Sequence, residues 1–454
     1  MNKVLDNIIY RIVAVILSVA LFSACEPSFD FYSELYDDPS YAGWGEDMDG
    51  REMNEETRNV LLLYSAGFNS LSNYLTDDIN DLMRGDIPTG WRSKDVLLVY
   101  SHVPTRFGAY SKPNSPVLMR LYKDMQGEVV RDTLLVCPEN AHSADPSQLN
   151  MILTYVKNNF PAKTYGMIFS SHATGYLPAG YYLHPELYVY MPTMSMRSRN
   201  ADVGRGVPYV EPERDPSLPM VKSIGQDVAG MSGSYMSYEM QLEEFARAIP
   251  MYMDYILFDA CLMGGVEVAY ELSGKCGLVG FSQTEVLAEG FDYKYIPMHL
   301  LSGAAPDPES VCMDYFGQYA VQSGIYQSAT ISLVDCTRLE PLAEICAELF
   351  DKYRLKMATL NPVKVQRYYR DDYHWFYDLV DIIVKAGASE EEVAALNEAV
   401  EDCMVYRAST PEFMESFAID SYSGFSMYLP CHGSTELDKY YRNLKWNIAT
   451  GLVE

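Results

Sequence analysis

Seven short apolar runs recur along the chain, each bounded by polar or turn-forming residues. They begin at Asn59, Asp95, Asp132, Tyr165, Asp254, Cys276 and Ala329, and read NVLLLYSAG, DVLLVYSH, DTLLVCP, YGMIFSSH, DYILFDAC, CGLVGFSQTE and ATISLVD. Near-continuous Val, Ile and Leu over about four to six residues is typical of strands that are buried on both faces of a sheet. The pattern therefore predicts seven buried strands.

Amphipathic stretches lie between these runs. Their spacing predicts helices at 148–158, 237–248 and 266–272, the first of them after a cap in the sequence SADPS. Alternating strands and helices favour a mainly parallel sheet that is covered by helices on both faces. Because functional side chains in such folds gather at the carboxyl ends of strands, we expect the functional site at that edge.

Two segments depart from this alternation. Residues 176–234 are rich in Pro, Gly, Met and Arg and show no strong periodicity. A loop of that length in a compact domain is usually functional or disordered. From residue 339 the pattern becomes mainly helical, with a final strand-like GFSMYLP that could return one strand to a sheet. We therefore expect a domain at 57–338, containing the loop 176–234, and a mainly helical C-terminal region at 339–454.

The N-terminus has the parts of a secretory signal. A basic start leads into the apolar run 12–22, which is too short to span a bilayer, and then into Ser23-Ala24-Cys25. This ending resembles a bacterial lipobox, although Phe22 stands where leucine is usual. The resemblance implies a lipid on Cys25 and attachment to the cell envelope, at the periplasmic face or the cell surface. The alternatives are an ordinary signal that ends in cysteine and an uncleaved anchor, against which the short run argues.

We interpret 1–24 as the signal and 25–56, which contains YDDPSYAGWGEDMDG, as an acidic tether.

Charge limits the partners of the protein. The formal net charge of −28 excludes nucleic acid as an expected partner, because phosphate binding needs a basic face. An acidic surface focused near a cleft would instead raise the local concentration of cationic peptides.

The common signatures of other enzyme classes are missing from the sequence. It contains no GxSxG elbow, P-loop, HExxH or dinucleotide-type GxGxxG after a strand. The eight cysteines after Cys25 show no short repeated spacing, so they indicate neither a disulfide scaffold nor a zinc site. Most of these cysteines are expected to be small buried side chains.

One histidine and one cysteine each stand at the end of a predicted strand. His172 ends YGMIFSSH and Cys261 ends DYILFDAC. If the two strands are neighbours, the imidazole can serve as the partner of a thiolate nucleophile. The segment after Cys261, LMGGVEVAYEL, resembles a helix, whose N-terminus would favour the thiolate and supply oxyanion donors. From position alone, such residues serve more often in packing or in turns than as a chemical pair.

The sequence around Cys261 resembles a known family. FDACLMGGVEVAYEL is similar to the nucleophile motif of the clostripain-like cysteine peptidases, which belong to the caspase-like clan. SYEMQLEEFARAI, FSQTEVLAEGFDY, SATISLVDCTRL, HWFYDLVDII and GFSMYLP resemble further blocks of that family in the same order, so the resemblance covers about 59–430. It implies a caspase-like three-layer α/β/α sandwich with a helical C-terminal extension. It also implies an endopeptidase that cleaves peptides and proteins after Arg or Lys.

The resemblance assigns roles to individual residues. His172 corresponds to the catalytic histidine and Cys261 to the nucleophile, with the backbone N–H groups of Ala173 and Cys261 as oxyanion donors. Asp259 resembles the acid that gives the family its preference for basic residues, the alternative being a helix or turn cap. Glu289 would lie at the rim of the same pocket.

Members of this family are activated by cleavage between the histidine and cysteine blocks. We therefore expect self-cleavage in the loop 176–234, after Arg197, Arg199, Arg205 or Arg214. No cofactor is needed for the chemistry. Calcium dependence occurs in relatives, but the chain contains no EF-hand loop, and the sequence assigns no metal site.

One departure from the family pattern keeps another function open. The family usually has several glycines after the histidine, whereas this chain reads His172-Ala173-Thr174-Gly175-Tyr176. The rival function is a catalytically inactive lipoprotein that binds peptides or other ligands, with 37 tyrosines available for aromatic contacts. A helical glycan-binding lipoprotein would match the N-terminus but not the seven buried strands.

Overall fold

The structure is a computed structural model. It describes residues 57–69, 71–103, 115–179, 227–231, 234–238, 240–370 and 374–454, and of the two segments 227–231 and 234–238 it describes the backbone. The predicted signal and tether, with Cys25, lie outside these residues, as do Arg197, Arg199, Arg205 and Arg214. None of the helices in the described ranges combines the length and the apolar character that a membrane crossing requires.

A nine-stranded sheet lies at the centre of the fold. The strands within the described residues are β1 (Thr57–Ser65), β2 (Asp95–Ser101), β3 (Val117–Lys123), β4 (Val129–Val136), β5 (Ala162–Ser170), β6 (Asp227–Met231), β7 (Ser234–Tyr238), β8 (Met253–Asp259), β9 (Cys276–Phe281), β10 (Thr330–Asp335), β11 (Tyr377–Asp378), β12 (Met404–Ser409), β13 (Glu412–Phe413), β14 (Phe417–Ala418) and β15 (Ser426–Met427). The large sheet has the order β12-β10-β9-β8-β5-β1-β2-β3-β4. Its middle, from β9 to β2, is parallel, and the strands outside this middle pair antiparallel.

Helices cover this sheet. They are α1 (Ser72–Arg84), α2 (Pro146–Asn159), α3 (Leu242–Ala248), α4 (Val266–Glu271), α5 (Ile296–Leu301), α6 (Pro308–Ala320), α7 (Glu340–Met357), α8 (Leu379–Lys385), α9 (Glu390–Cys403), α10 (Thr435–Tyr441) and α11 (Lys445–Thr450). The predicted cap of α2 is present, since the Asp145 carboxylate accepts the Ser147 N–H at 2.8 Å. The mixed sheet with its flanking helices confirms the predicted α/β fold.

All seven predicted strands form, as β1, β2, β4, β5, β8, β9 and β10. The prediction of burial on both faces is wrong for β4, which is an edge strand of the sheet with Leu135 as its one buried residue. In β1, the neighbouring side chains of Leu61 and Leu62 point to opposite faces, and both are buried. Strands covered on both faces must be apolar at successive positions, and this is why the runs could be recognised. The expectation for the cysteines is also confirmed, because seven of the eight in the described part of the chain are buried and all eight are free thiols.

Several elements before the C-terminal region differ from the prediction. The helix expected at 237–248 begins only at Leu242, because 234–238 forms β7, which pairs with β6 in a hairpin inside the predicted long loop. A capping box between Gln241 and Glu244 sets the start of α3. β3 was missed because Arg120 interrupts its apolar run. This arginine is buried, with its guanidinium carbon 4.3 Å from the centre of the Trp91 ring.

The C-terminal region supplies one strand to the large sheet, but not the expected one. β12, which the sequence pattern placed at the end of a helix, pairs antiparallel with β10. From GFSMYLP, Ser426–Met427 forms β15, which pairs with β11 in a separate two-stranded sheet. The helical periodicity of α9 runs into β12 without a Gly or Pro between them, so the sequence carried no stop signal.

Candidate active site

His172 and Cys261 lie at the same edge of the sheet. β5 and β8 are parallel neighbours, with Ser170 paired to Asp259. Each of the two candidate catalytic residues follows its paired strand residue by two positions. Only 7% of His172 and 0% of Cys261 is exposed. The strand adjacency on which the sequence argument depended is therefore present.

The turn after His172 packs against the turn after Cys261. Gly175 has φ +62°, and a Cβ atom there would lie 2.4 Å from the carbonyl oxygen of Leu262 and 3.2 Å from the ring of Phe376. Only glycine combines this backbone conformation with so close an approach. The altered sequence after His172 thus keeps a glycine at the position where the contact requires one.

Cys261 does not lie at the N-terminus of a helix, which corrects the expectation from the sequence. α4 begins at Val266 after Gly265 as its N-cap, so four residues separate the cysteine from the helix. Leu262 takes up a left-handed backbone with φ +60° instead. Because the influence of a helix dipole falls off within its first turn, it does not act on the sulfur here.

A neighbouring backbone segment holds the thiol instead. The Val286 N–H donates to Cys261 Sγ at 3.0 Å, and the thiol donates to the Val286 carbonyl at 3.7 Å. We call residues 282–286 the thiol-contact segment. Its carbonyls also accept from Leu262 N at 2.9 Å and from Gly264 N at 2.7 Å, so these two amides are occupied. The assignment of Ala173 and Cys261 as oxyanion donors stays a prediction.

Thr330, at the start of β10, anchors the thiol-contact segment. Its Oγ1 accepts from Gln283 N and Thr284 N, both at 3.0 Å, and lies 2.9 Å from Ser282 Oγ. All four residues are buried. One hydroxyl of a neighbouring strand is therefore among the groups that hold this segment beside Cys261.

Asp259 is fully buried and already bonded within the protein. Its Oδ2 accepts from Ser170 Oγ at 3.0 Å and from Tyr293 OH at 2.6 Å. Burial, together with the charge of Asp259, raises the pKa of Tyr293 well above its usual value, so this hydroxyl stays protonated and donates. Glu289 is exposed.

Two further residues near Cys261, Glu285 and Arg370, were not predicted from the sequence. The Arg370 guanidinium donates to both carboxylate oxygens of Glu285, at 2.6 and 2.7 Å. Glu285 belongs to the thiol-contact segment and directly precedes Val286, the residue that contacts Cys261. The FSQTE block could have drawn attention to Glu285, but nothing local in the sequence marked Arg370 as its partner.

Glu267, on α4, is a third residue that was not predicted from the sequence. Its Oε1 accepts from Tyr428 N at 2.9 Å and from Tyr441 OH at 2.6 Å. Burial raises the pKa of Glu267 to about 7, against the lowering effect of these bonds. Tyr176, in the turn after His172, packs on Tyr441 with ring centres 5.6 Å apart. The carboxyl is therefore linked through Tyr441 to the turn after His172.

A cavity of about 70 Å³ opens beside the histidine turn. His172 and Gly175 line it on one side, and Met263, from the turn after Cys261, lines it as well. The remaining wall includes the aromatic side chains of Phe245 and Phe258. The two turns thus share a partly apolar cavity that His172 borders.

The ranges that the structure describes contain no group of three or more His, Cys, Asp or Glu side chains arranged to hold a metal ion. The described residues thus offer no calcium site of this kind. Calcium dependence stays an expectation from the resemblance, and no step below is assigned to it.

Comparison with known proteins identifies the family. The sequence profile of the clostripain family, peptidase family C11, matches residues 63–186 and 213–450. No curated protein sequence matches the chain.

Solved structures show the same fold. An inactive zymogen C11 protease from Parabacteroides distasonis is 24% identical, with 88% of this chain and 99% of that chain covered and a TM-score of 0.66. A secreted C11 cysteine protease from Bacteroides thetaiotaomicron, iotapain, is 22% identical, with 87% and 100% covered and a TM-score of 0.66. A structure of a secreted C11 cysteine protease from the same organism with an irreversible peptide inhibitor is 22% identical, with 87% and 99% covered and a TM-score of 0.64. The profile spans most of the chain, and the protein therefore belongs to the clostripain family of cysteine peptidases.

Proposed function

We propose that this peptidase cleaves peptide bonds after Arg or Lys, with Cys261 as the nucleophile and His172 as its acid-base partner. The observation that carries the proposal is the register of β5 and β8, which places both residues two positions beyond a paired Ser170 and Asp259. The contact of Gly175 with Leu262 supports it, because this contact ties together the two turns that bear the pair.

The chemistry follows the usual course for a thiol peptidase. His172 takes the proton of the Cys261 thiol, and the resulting thiolate attacks the scissile carbonyl, whose developing oxyanion accepts from the N–H groups of Ala173 and Cys261. His172 protonates the leaving amine, and the acyl-enzyme that remains is hydrolysed by a water molecule from which His172 takes the proton. Asp259 and Glu289 supply negative charge for a basic substrate side chain.

Turnover of fluorogenic peptides tests this assignment. We expect release of dye from reporters that end in Arg or Lys, and a fall in kcat of about 1,000-fold or more in Cys261→Ala and in His172→Ala. Cys346→Ala and His299→Ala are matched controls on α7 and α5, and they should keep turnover close to that of the wild type. Turnover that does not depend on both Cys261 and His172 would contradict the assignment.

Activation by self-cleavage is part of the proposal. Its support is the complete burial of Cys261 and the bonding of its thiol to Val286, since a substrate carbonyl has to reach this sulfur. Cleavage after Arg197, Arg199, Arg205 or Arg214 would divide the chain between the two catalytic residues. Incubated wild-type protein should then show two new fragments on a denaturing gel, and Cys261→Ala should not. Identical band patterns would exclude self-cleavage.

The burial of Cys261 also supports a second candidate, an inactive member that binds peptides or other ligands. Thiol labelling separates the two functions. In an active peptidase, Cys261 should react with iodoacetamide near pH 6, where an ordinary thiol is almost fully protonated. Absence of labelling at Cys261, together with intact binding of peptides, would favour the inactive member.

We further propose that a lipid on Cys25 holds the peptidase at the cell envelope. The support is the lipobox-like sequence that ends in Ser23-Ala24-Cys25. In cells fed a labelled fatty acid, the wild type should carry the label and remain with the membrane fraction. Cys25→Ser should lose both properties, and an unlabelled wild-type protein would exclude the lipid. For calcium, the expected outcome is loss of turnover with a chelator and recovery on adding Ca²⁺.

A further inference from the structure

We propose that Cys276 and Cys336 are a disulfide-forming pair, which a disulfide oxidant converts to a covalent bond between β9 and β10. The inference goes beyond peptide cleavage, because it assigns a modification site and the chemistry of the modification. For its oxidant it rests on the proposed location at the cell envelope, which is an oxidising environment.

The two cysteines stand at the same end of two neighbouring strands. Cys276 is the first residue of β9, and Cys336 directly follows the last residue of β10. The strands pair antiparallel, with Leu278 opposite Asp335. The start of β9 and the end of β10 therefore meet, and this brings together two residues that are 60 positions apart in the sequence.

The sulfurs of the two cysteines are in contact. The Cys276 thiol donates to Cys336 Sγ across 3.8 Å, and both residues are free thiols in this structure. A disulfide bond needs its sulfurs at about 2 Å. Cys336 begins a short 3-10 helix, Cys336–Arg338, and lies outside the paired residues of the two strands. We therefore expect rotation of the two side chains, with a small movement of this turn, to close the remaining distance.

Other thiols of the chain donate to oxygen instead. Cys403 donates to the Val400 carbonyl at 3.2 Å, and Cys431 donates to the Leu360 carbonyl at 3.6 Å. A sulfur atom is a weaker acceptor than a carbonyl oxygen, so the thiol of Cys276 forms a poorer hydrogen bond than these two. Oxidation of the pair therefore gives up little hydrogen-bond energy.

A metal ion is the other common ligand of paired thiols. Structural zinc sites take four ligands in a tetrahedral arrangement. Among the residues that the structure describes, no group of three or more His, Cys, Asp or Glu side chains is arranged to hold a metal ion. Two thiols do not complete such a site, so their contact favours a disulfide.

The bond would form in two exchange steps. The thiolate of one cysteine attacks the disulfide of the oxidant, which is glutathione disulfide or the active-site disulfide of a thiol–disulfide oxidoreductase, and one thiolate of the oxidant leaves. The second cysteine attacks the protein sulfur of this mixed disulfide and releases the other thiolate. The two cysteines lose two protons and two electrons, and the oxidant is reduced to two thiols.

The folded protein slows this exchange. Only 0% of Cys276 and 3% of Cys336 is exposed. The hydrogen bond with Cys276, together with burial, holds the pKa of the Cys336 thiol well above its usual value, so little of its thiolate is present near neutral pH. We therefore expect the bond to form while the chain folds or opens locally, and to resist reduction in the folded protein.

The bond would join the strands that lead to the thiol-contact segment. β9 ends at Phe281, directly before this segment, and β10 begins at Thr330, which accepts two of the N–H groups of the segment. The bond would lie at the opposite ends of the same two strands. Oxidised protein should therefore resist separation of β9 and β10 better than reduced protein does.

Peptide mapping tests the bond in full-length protein carrying Cys261→Ala, which removes exchange with the nucleophile. The protein is incubated with reduced and oxidised glutathione in mild urea, which permits local opening. It is then denatured with N-ethylmaleimide present and digested without reductant. We expect a cross-linked peptide that contains Cys276 and Cys336 and is lighter by two hydrogen atoms than the two reduced peptides together. Two fewer thiols should be alkylated than in protein kept in dithiothreitol.

Single variants identify the pair. Cys276→Ala and Cys336→Ala should each lose the cross-link. Cys312→Ala is the matched control and should keep it, since Cys312 is also buried and its sulfur lies 3.4 Å from where a Cβ of Gly280, on β9, would be. Three results in the background protein would overturn the proposal: alkylation of both Cys276 and Cys336, a cross-link of either to another cysteine, or a lasting glutathione adduct on either.

Thermal unfolding provides a second measurement, in which the Tm of each protein is compared before and after oxidation. The oxidised background and oxidised Cys312→Ala should each melt several degrees above their reduced forms, because the bond closes a long loop. Cys276→Ala and Cys336→Ala should show no such difference. A cavity left by alanine lowers the Tm of both forms alike and cannot produce this result. An unchanged Tm in the oxidised background would contradict the proposal.

The pair and the location can fail separately, because purified protein receives its oxidant in the experiment. If Cys25 carries no lipid but the cross-link forms with glutathione, the proposed location fails and the disulfide-forming pair stands. If Cys25 carries a lipid but Cys276 and Cys336 are both alkylated after oxidation, the location stands and the pair is wrong.

Discussion

At the scale of single residues, Gly175 sets how closely the two turns of the site approach each other. Its backbone has φ +62°, and an added Cβ would meet the Leu262 carbonyl at 2.4 Å. Gly175→Ala should therefore lower the free energy of unfolding by about 3 kcal/mol, from backbone strain and steric overlap together. Urea denaturation measures this change, and kcat should fall with it, because the two catalytic residues stand on these turns.

Gly127 provides the control for this substitution. It also has a left-handed backbone, with φ +88°, but nothing lies within 4 Å of an added Cβ. Gly127→Ala should cost only the backbone strain, about 1 kcal/mol, and leave kcat unchanged. If both substitutions lowered the free energy of unfolding by the same amount, the contact with Leu262 would not be tight.

Glu267 makes stability depend on pH near neutrality. Burial raises its pKa from 4.5 to about 7 in the folded protein. A carboxyl whose pKa is raised on folding binds its proton more tightly in the folded state. Its stabilising contribution is therefore complete below pH 4.5 and is lost as the pH rises through about 7.

Glu267→Gln mimics the protonated side chain and should remove this dependence. Between pH 4.5 and 8, the free energy of unfolding of the wild type should fall relative to that of Glu267→Gln by about 3 kcal/mol. Urea denaturation at a series of pH values provides the comparison. If the difference in the free energy of unfolding between the two proteins were the same at every pH, Glu267 would not titrate in this range.

At the scale of elements, the thiol-contact segment depends on β10. Thr330 accepts two backbone N–H groups, from Gln283 and Thr284, which lie close to the residue that contacts Cys261. Thr330→Val keeps the shape but leaves these buried amides without their acceptor, at a cost of about 2–4 kcal/mol. Since this loosens the segment that contacts Cys261, the rate of iodoacetamide labelling and kcat should both change.

Thr450 offers a matched control, because it is also buried but lies at the C-terminal end of α11. Its hydroxyl donates to the Trp446 carbonyl at 2.8 Å. Thr450→Val should cost about 1 kcal/mol or less and leave the labelling rate of Cys261 unchanged. If the labelling rate of Cys261 were unchanged in Thr330→Val as well, the position of the thiol would not depend on β10.

Elements also show where local patterns stop being informative. β12 continues a helical pattern in sequence but forms a strand, since the antiparallel edge of β10 is available for pairing. The helix or strand propensity of a residue is a weak preference, and pairing with a neighbouring strand can override it. In contrast, the buried parallel strands were predictable, because burial on both faces leaves a continuous apolar run in the sequence itself.

At the scale of the whole molecule, the net charge of −28 should affect the capture of substrate. If the negative charge extends to the cleft, a cationic peptide is attracted over a distance set by the screening length. Raising NaCl from about 0.01 M to about 1 M shortens this length from about 30 Å to about 3 Å. The kcat/KM for a reporter with several positive charges should then fall several-fold. A reporter with an Arg at the cleavage site but no net charge should change less, and equal falls would contradict electrostatic attraction.

The sequence by itself determined the buried strands, the α/β class and the strand-end positions of His172 and Cys261, because these follow from neighbouring residues and a short motif. Only the tertiary structure decided which residues surround them. Val286 lies 25 residues from the cysteine that it contacts, Tyr293 bonds Asp259 across 34 residues, and Arg370 reaches Glu285 across 85. Such pairings leave no periodic trace in the sequence, since they depend on how the loops at one sheet edge pack together. The identity of the nucleophile was thus a local property of the sequence, whereas the environment of its sulfur was a property of the folded protein.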